Sequence, residues 1–111
     1  MLDTLRCEAC SSDAVALTHE AQTALLASLA DWEIVVEADI PRLRKLYTFK
    51  NFKLAWAFAN RIAALAEEEF HHPTIVLEWG KVHVEWWSHS LKGLHKNDFI
   101  CAAKSDQLLD E

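Results

Sequence analysis

Four of the chain's six histidines fall between Phe70 and Ser90, in the stretch FHHPTIVLEWGKVHVEWWSHS. Three of them, His71, His72 and His89, converge on one mouth if the segment folds back as a hairpin. Neutral imidazole is a zinc ligand. With a reference pKa of ~6.5 it is also the side chain best suited to giving and taking protons near neutral pH. Two adjacent histidines before a proline are equally compatible with a solvated corner that does no chemistry. The neighbouring carboxylates bear on the choice. Glu67 stands one helical turn before His71, close enough to orient an imidazole or to stabilise its charged form. The run Glu67-Glu68-Glu69 closes a helical pattern, where the macrodipole disfavours negative charge, so another use for at least one of these carboxylates is expected.

The elements that must position these groups follow from periodicity. Thr18 is placed to cap a helix running to about Ser28, with Ala21, Leu25, Leu26 and Leu29 on its apolar side. Trp32 to Glu37 reads as a strand, ADIP as a turn, and Arg42 to Phe49 as a second strand with Leu43, Lys45, Tyr47 and Phe49 on one face. Asn51 caps a long helix to about Glu69 that contains neither Gly nor Pro. Its apolar residues spread over a wide arc, with Phe52, Ala55, Ala59, Ile62, Ala63 and Ala66 on one side and Leu54, Phe58 and Leu65 on another. That breadth predicts burial against a sheet and against a second subunit, a dimer or a tetramer.

Pro73 disfavours helix at His72 and sets the histidine pair at a helix-to-strand corner. TIVLEW and KVHVEWWSH supply two more strands, with Gly80-Lys81 as the tight turn between them. Parity puts Val82, Val84 and Trp86 on the core face and His83, Glu85, Trp87 and His89 on the other. A last helix spans about Lys96 to Leu109, with Asp98 in its first turn, where a carboxylate is favoured by the helix dipole alone. His19, His83 and His95 read as surface. The order α-β-β-α-β-β-α predicts an α+β fold, a four-stranded antiparallel sheet with helices packed on one face.

Composition bounds the function. A chain of 111 residues, 51% apolar and 25% charged, suits one globular domain, residues 1–111, in which residues 1–16 form an N-terminal extension. The formal charge of −6 argues against a general nucleic-acid binder, since phosphate contacts need a clustered basic surface and Arg42 to Lys45 is too short a run to supply one. No apolar stretch is long enough to span a membrane. MLDTLRCEAC lacks a basic region followed by an apolar run, so no secretory signal is expected and a cytoplasmic location is. The three cysteines, Cys7, Cys10 and Cys101, do not make a disulfide framework. Cys7 and Cys10 form a single C-x-x-C, half of a zinc site or a redox pair by its spacing. It has no second C-x-x-C and no preceding strand, and a plain structural segment is the alternative.

Residues 67 to 98 carry a longer pattern: Glu67, three residues, His71-His72-Pro73, five residues, Trp79, nine residues, His89, eight residues, Asp98. This resembles the signature of the pterin-4a-carbinolamine dehydratases. Trp32-Glu33, FKNFKLAWAFANRIAALAEEE from Phe49 and GLHKND from Gly93 resemble family segments too, so the likeness runs over about residues 17 to 109. The resemblance implies the same α+β fold and a hydro-lyase that removes water from 4a-hydroxytetrahydropterin to give quinonoid dihydropterin. That step recycles the pterin used by aromatic amino acid hydroxylases, without any metal or organic cofactor. It implies His71, His72 and His89 as the catalytic residues, with His71 and His89 as acid and base in an order it leaves open and His72 binding and polarising the pterin, a role the sequence does not separate from theirs. Glu67, Asp98, Trp32 and Trp79 become candidate substrate-binding residues, the two indoles by stacking on the flat bicyclic ring. Some family members double as dimerisation partners of a transcription factor, which makes a non-catalytic binding or regulatory protein on the same scaffold the alternative. Thr74, Ile75, Ser88, Trp86-Trp87 and His95 depart from the common family residues and bear on substrate preference and local stability more than on reaction type.

Overall fold

The computed structural model of the chain describes residues 2–7 and 16–110. Short 3-10 turns at Leu2–Thr4 and Leu108–Asp110 flank α1 (His19–Leu26), β1 (Glu33–Glu37), β2 (Ile40–Thr48), α2 (Phe52–Glu69), β3 (Thr74–Glu78), β4 (Lys81–Trp86) and α3 (Lys96–Gln107). The four strands form one antiparallel sheet in the order β1-β2-β4-β3. This is the α+β arrangement expected from the sequence, with the helical layer closing one face of the sheet.

The helices begin where side-chain oxygens meet otherwise unpaired N–H groups. Thr18 Oγ1 accepts from the Ala21 N–H at 3.2 Å, and Asn51 Oδ1 from the Leu54 N–H at 2.9 Å. Helix α2 buries Ala55, Phe58, Ala59, Ile62, Leu65 and Ala66 against the inward residues of the sheet, Leu43 and Tyr47 from β2 and Val82, Val84 and Trp86 from β4. The wide apolar arc of α2 therefore resolves into one buried stripe and an exposed remainder in which Phe52, Leu54 and Trp56 face outward.

Both hairpin turns differ from the sequence expectation by a small shift. Between β1 and β2 the register closes at Glu37 opposite Ile40, so the turn is Ala38-Asp39, both at positive φ (50° and 65°), and Ile40 and Pro41 already belong to the strand. Proline is tolerated at that position because β2 pairs with β4 only from Leu43 onward, leaving no β4 ladder bond at Pro41 to lose. Between β3 and β4 the closing pair is Glu78 and Lys81, which makes Trp79-Gly80 the loop in place of Gly80-Lys81. Gly80 takes φ +69°, its carbonyl accepts from the Phe49 N–H at 2.7 Å, and a Cβ there would stand 2.9 Å from the Phe49 carbonyl oxygen. Gly80→Ala is accordingly expected to destabilise the fold by about 1–3 kcal/mol. Urea unfolding checks this, and a change below about 0.5 kcal/mol would mean that the loop relaxes freely.

Candidate functional site

The corner after α2 decides which way each histidine points. Helix α2 stops at Phe70, which adopts the left-handed conformation (φ 54°, ψ 38°) while its N–H bonds the Ala66 carbonyl. A non-glycine residue rarely sits there, and this one leaves its ring 88% exposed. From this corner the chain leaves extended towards Pro73, so successive side chains alternate. His71 turns inward and is buried, and His72 turns out to solvent.

His71 Nε2 meets Asp98 Oδ1 at 2.5 Å. Asp98 is fully buried, 0% exposed, in the first turn of α3. Its second oxygen accepts the Ser88 hydroxyl at 2.9 Å and the His95 backbone N–H at 2.8 Å. The last of these is half of a capping box, completed by His95 Nδ1 accepting from the Asn97 N–H at 3.0 Å. The carboxylate thus caps α3 with one oxygen and holds an imidazole with the other. With a backbone donor and a hydroxyl donor fixed on Oδ2, Asp98 acts as an acceptor towards His71. The proton of neutral His71 therefore sits on Nε2 and its lone pair on Nδ1.

His89, three residues beyond Trp86 at the end of β4, approaches from the other side of the hairpin. Its Nε2 lies 3.1 Å from the His72 carbonyl oxygen. A carbonyl only accepts, so this contact also assigns the proton to Nε2 and leaves Nδ1 as the second acceptor. His72 Nε2 pairs with Glu67 Oε2 at 2.7 Å, with both groups exposed. His71, His72 and His89, with Phe70, Ser88 and Ser90, line one open cavity of about 330 Å³. Two adjacent tryptophans back the pair of histidines from opposite sides of β4. Trp86 lies parallel to His71 (centroids 5.7 Å, 7°), and Trp87 stacks on His89 (4.3 Å, 19°) while the Arg42 guanidinium lies over its ring at 4.2 Å.

Two of the sequence candidates stand elsewhere. Trp32 is buried and donates from Nε1 to Asp106 Oδ2 at 3.1 Å, with its edge against Tyr47. Asp106 is two helical turns and more beyond Asp98, about 12 Å along α3. Trp79, 70% exposed in the Trp79-Gly80 loop, sits at the end of β3 remote from the histidine corner. Neither lines the histidine cavity. His83 is held by Glu78 across the hairpin at 2.5 Å. His95, read as surface, is the cap of α3, and the signal for it was its place three residues before Asp98. Ser88 supplies its hydroxyl to Asp98. The stacking of Trp86 and Trp87 on the histidines has no local sequence signal, since it depends on the register of β4 against the helix corner.

Two of the three crowded carboxylates at the end of α2 find a use. Glu67 takes His72, and Glu69, with its side chain only 1% exposed, accepts the Cys7 N–H at 2.9 Å and pairs with Lys104 at 3.4 Å and Arg6 at 3.5 Å. Burial pushes the Glu69 carboxyl up, but the Cys7 N–H, Lys104 and Arg6 outweigh it and hold it below the usual range. A depressed carboxyl contributes stability that is fully present above its unfolded value of ~4.3 and is lost as the pH falls through the lower folded one. Glu69→Gln should destabilise the protein by about 1–3 kcal/mol at pH 7 and flatten the acid limb of the stability profile below about pH 4. Urea unfolding as a function of pH would detect both effects. An unchanged acid limb would mean that other carboxylates carry it.

Cys7 turns towards Cys101, with the sulfurs 3.3 Å apart, and Cys10 lies outside the described residues. Among the described residues no three His, Cys, Asp or Glu side chains are arranged to hold a metal ion, and no helix is long and apolar enough to cross a membrane.

Comparison with known proteins agrees with the fold and with the family resemblance. Residues 15–108 match the family model described as pterin 4 alpha carbinolamine dehydratase. A Vibrio vulnificus (strain YJ016) protein named "Putative pterin-4-alpha-carbinolamine dehydratase" is 63% identical over 109 residues, covering 98% of this chain and 99% of that one. Among solved structures, a transcriptional coactivator/pterin dehydratase from Brucella melitensis superimposes with a TM-score of 0.76 at 26% identity, over 84% of this chain and 97% of that chain. A pterin dehydratase-like protein described as a RuBisCO assembly factor in the alpha-carboxysome gives 0.60 at 26% identity, over 70% and 88%. A family match over nearly the whole chain, from before α1 to the end of α3, means that this chain belongs to the pterin-4a-carbinolamine dehydratase family.

Proposed function

We propose that this chain catalyses the dehydration of 4a-hydroxytetrahydropterin to quinonoid dihydropterin, through the histidines that line the cavity at the α2–β3 corner. The observation that carries the reading is the buried His71–Asp98 pair at the wall of a cavity that His89 and His72 also line. Elimination of water removes a proton from a ring nitrogen and delivers one to the departing 4a-hydroxyl. His71 takes the first of these protons on Nδ1, while the Asp98 carboxylate on Nε2 fixes the tautomer and compensates the positive charge that His71 gains. This is the same division of labour as in an Asp-His catalytic pair. His89, reached from solvent, enters the step as imidazolium with its Nε2–H kept on the His72 carbonyl, and delivers the proton carried on Nδ1 to the hydroxyl, which leaves as water. His72, tied to Glu67 at the rim, binds and polarises the pterin. The chain's own side chains supply both proton transfers. Its substrate is produced by aromatic amino acid hydroxylases in the same compartment, the cytoplasm, and the working form is a homo-oligomer.

Stopped-flow ultraviolet absorbance of 4a-hydroxytetrahydropterin decay tests this directly. Wild-type protein should accelerate the decay, and His89→Ala should lose roughly 10²-fold of that acceleration. Folded wild-type protein that leaves the decay unchanged would remove the reaction. The second reading, a non-catalytic binding or regulatory protein, is favoured by the outward Phe52, Leu54 and Trp56 of α2 and by the roles named for the two structural neighbours. It predicts no acceleration.

A further inference from the structure

We propose that Cys7 and Cys101 are a modification site for peroxide, a dithiol that closes reversibly to a disulfide and staples the N-terminal segment to α3. The two sulfurs are free thiols 3.3 Å apart, brought together across 94 positions of sequence. A disulfide needs ~2.05 Å, so the sulfurs must approach by about 1.3 Å from their present separation. Their surroundings divide the roles. Cys7 is half-buried and reachable, whereas Cys101 is buried on the inner side of α3. The hydrogen bond with Cys7 and burial push the Cys101 thiol up, so it keeps its proton until it reacts. Cys7 is therefore the sulfur that meets the oxidant, and Cys101 the one that resolves it.

The step balances with hydrogen peroxide as the oxidant. The Cys7 thiolate attacks the O–O bond, which breaks to give a sulfenic acid and hydroxide, and the hydroxide leaves as water with the proton that Cys7 released. The Cys101 sulfur then attacks the Cys7 sulfur. The S–O bond breaks, and the hydroxyl departs with the Cys101 proton as a second water. Two thiols lose two electrons in all, and one peroxide gains them. The position gives the staple its meaning. Cys7 Sγ also lies 3.7 Å from the Asn97 carbonyl oxygen, and the Cys7 N–H bonds Glu69. Cys7 thus already touches the end of α2 just before His71 and the first turn of α3 that carries Asp98. The bond would fix to α3 the segment whose Cys7 N–H holds Glu69 at the end of α2, beside the two helix ends that build the His71–Asp98 contact.

The test uses the full chain with Cys10 in place, purified reduced, treated with hydrogen peroxide, trapped with N-ethylmaleimide and mapped as non-reduced peptides by mass spectrometry. The expected product is a single chain that has lost two hydrogens and carries one N-ethylmaleimide, on Cys10, with one cross-linked pair of peptides carrying residues 7 and 101. Its melting temperature should rise by roughly 10 °C and return on adding dithiothreitol, as expected for closing a long loop. Cys10→Ser should keep the linkage, and the double variant Cys10→Ser/Cys101→Ala should stop at a dimedone-reactive sulfenic acid on Cys7. A Cys7–Cys10 linkage, an intermolecular disulfide, or full alkylation of Cys7 and Cys101 after peroxide treatment of the folded protein would each overturn the proposal.

Discussion

Asp98→Asn is expected to slow carbinolamine dehydration by roughly 10³–10⁴-fold, about as much as removing His71 itself. An amide has one acceptor oxygen and one donor NH₂ where the carboxylate has two acceptors. Placed with its oxygen at the Oδ2 position, it keeps the Ser88 hydroxyl and the His95 N–H, but presents a donor to His71 Nε2. His71 must then move its proton to Nδ1, and the nitrogen left to take a proton from substrate is no longer available. Flipped, the amide keeps His71 correct and sets its NH₂ against the His95 N–H, a backbone donor that cannot turn away. Both settings lose the negative charge that compensates His71 when it becomes positive. The loss should fall on kcat more than on KM, since nothing at the solvent-facing rim has changed. Circular dichroism and thermal melting establish that the variant is folded. A folded Asp98→Asn protein within tenfold of wild type would show that the reaction does not depend on the His71–Asp98 pair, and would move the acid/base role to His89 and His72.

Asp98 also shows why part of the site was legible and part was not. From the sequence it had two readings, a first-turn carboxylate favoured by the helix and a member of the histidine signature. The structure gives it both contacts at once, one oxygen on the His95 N–H and the other on His71, 27 positions away. The first is a local rule that spacing reveals. The second depends on how α3 lands on the α2–β3 corner, which no local pattern encodes. The strands and the inward set Val82, Val84 and Trp86 were legible for the same reason, because alternation is local and one face must be buried. The hairpin loop came out one residue off because Gly80 satisfies positive φ in either register, and only the Glu78–Lys81 pairing chooses. That shift puts Trp79 in a loop. The inward turn of His71 and outward turn of His72 follow from the left-handed Phe70, a conformation that a phenylalanine gives no reason to expect.

The bulky Trp86-Trp87 pair gains its sense from the same alternation. Trp86 ends β4 and Trp87 follows it, so the two point to opposite faces, with one indole under His71 in the core and the other beside His89 on the outer face. A small or aliphatic pair at these positions would leave both imidazoles without a flat wall. The two tryptophans differ in what they hold up, and that difference is measurable in stability.

Trp86→Ala is expected to destabilise the protein by about 3–5 kcal/mol, lowering its melting temperature by roughly 12–20 °C. Trp86 is fully buried, 0% exposed, in the central strand pair where β4 meets β2 opposite Leu43. Its Nε1–H donates to Ser105 Oγ at 3.1 Å, and Ser105 in turn donates to the Cys101 carbonyl at 2.7 Å. Truncation removes the indole from between the sheet and α3 and leaves a cavity that rigid strand backbone cannot collapse to fill. It also removes the donor from a buried hydroxyl, a further penalty for a polar group left short of a partner. Trp86→Phe separates the contributions. It keeps a flat ring beside His71 and most of the buried area but loses the Ser105 bond, and should lie about 1–2 kcal/mol below wild type. Urea unfolding of the three proteins measures both differences. A loss below about 1.5 kcal/mol for the alanine variant would mean that α3 closes down on β4. His71 and Asp98 would then move with it, and the pocket wall would be far softer than its fully buried residues imply.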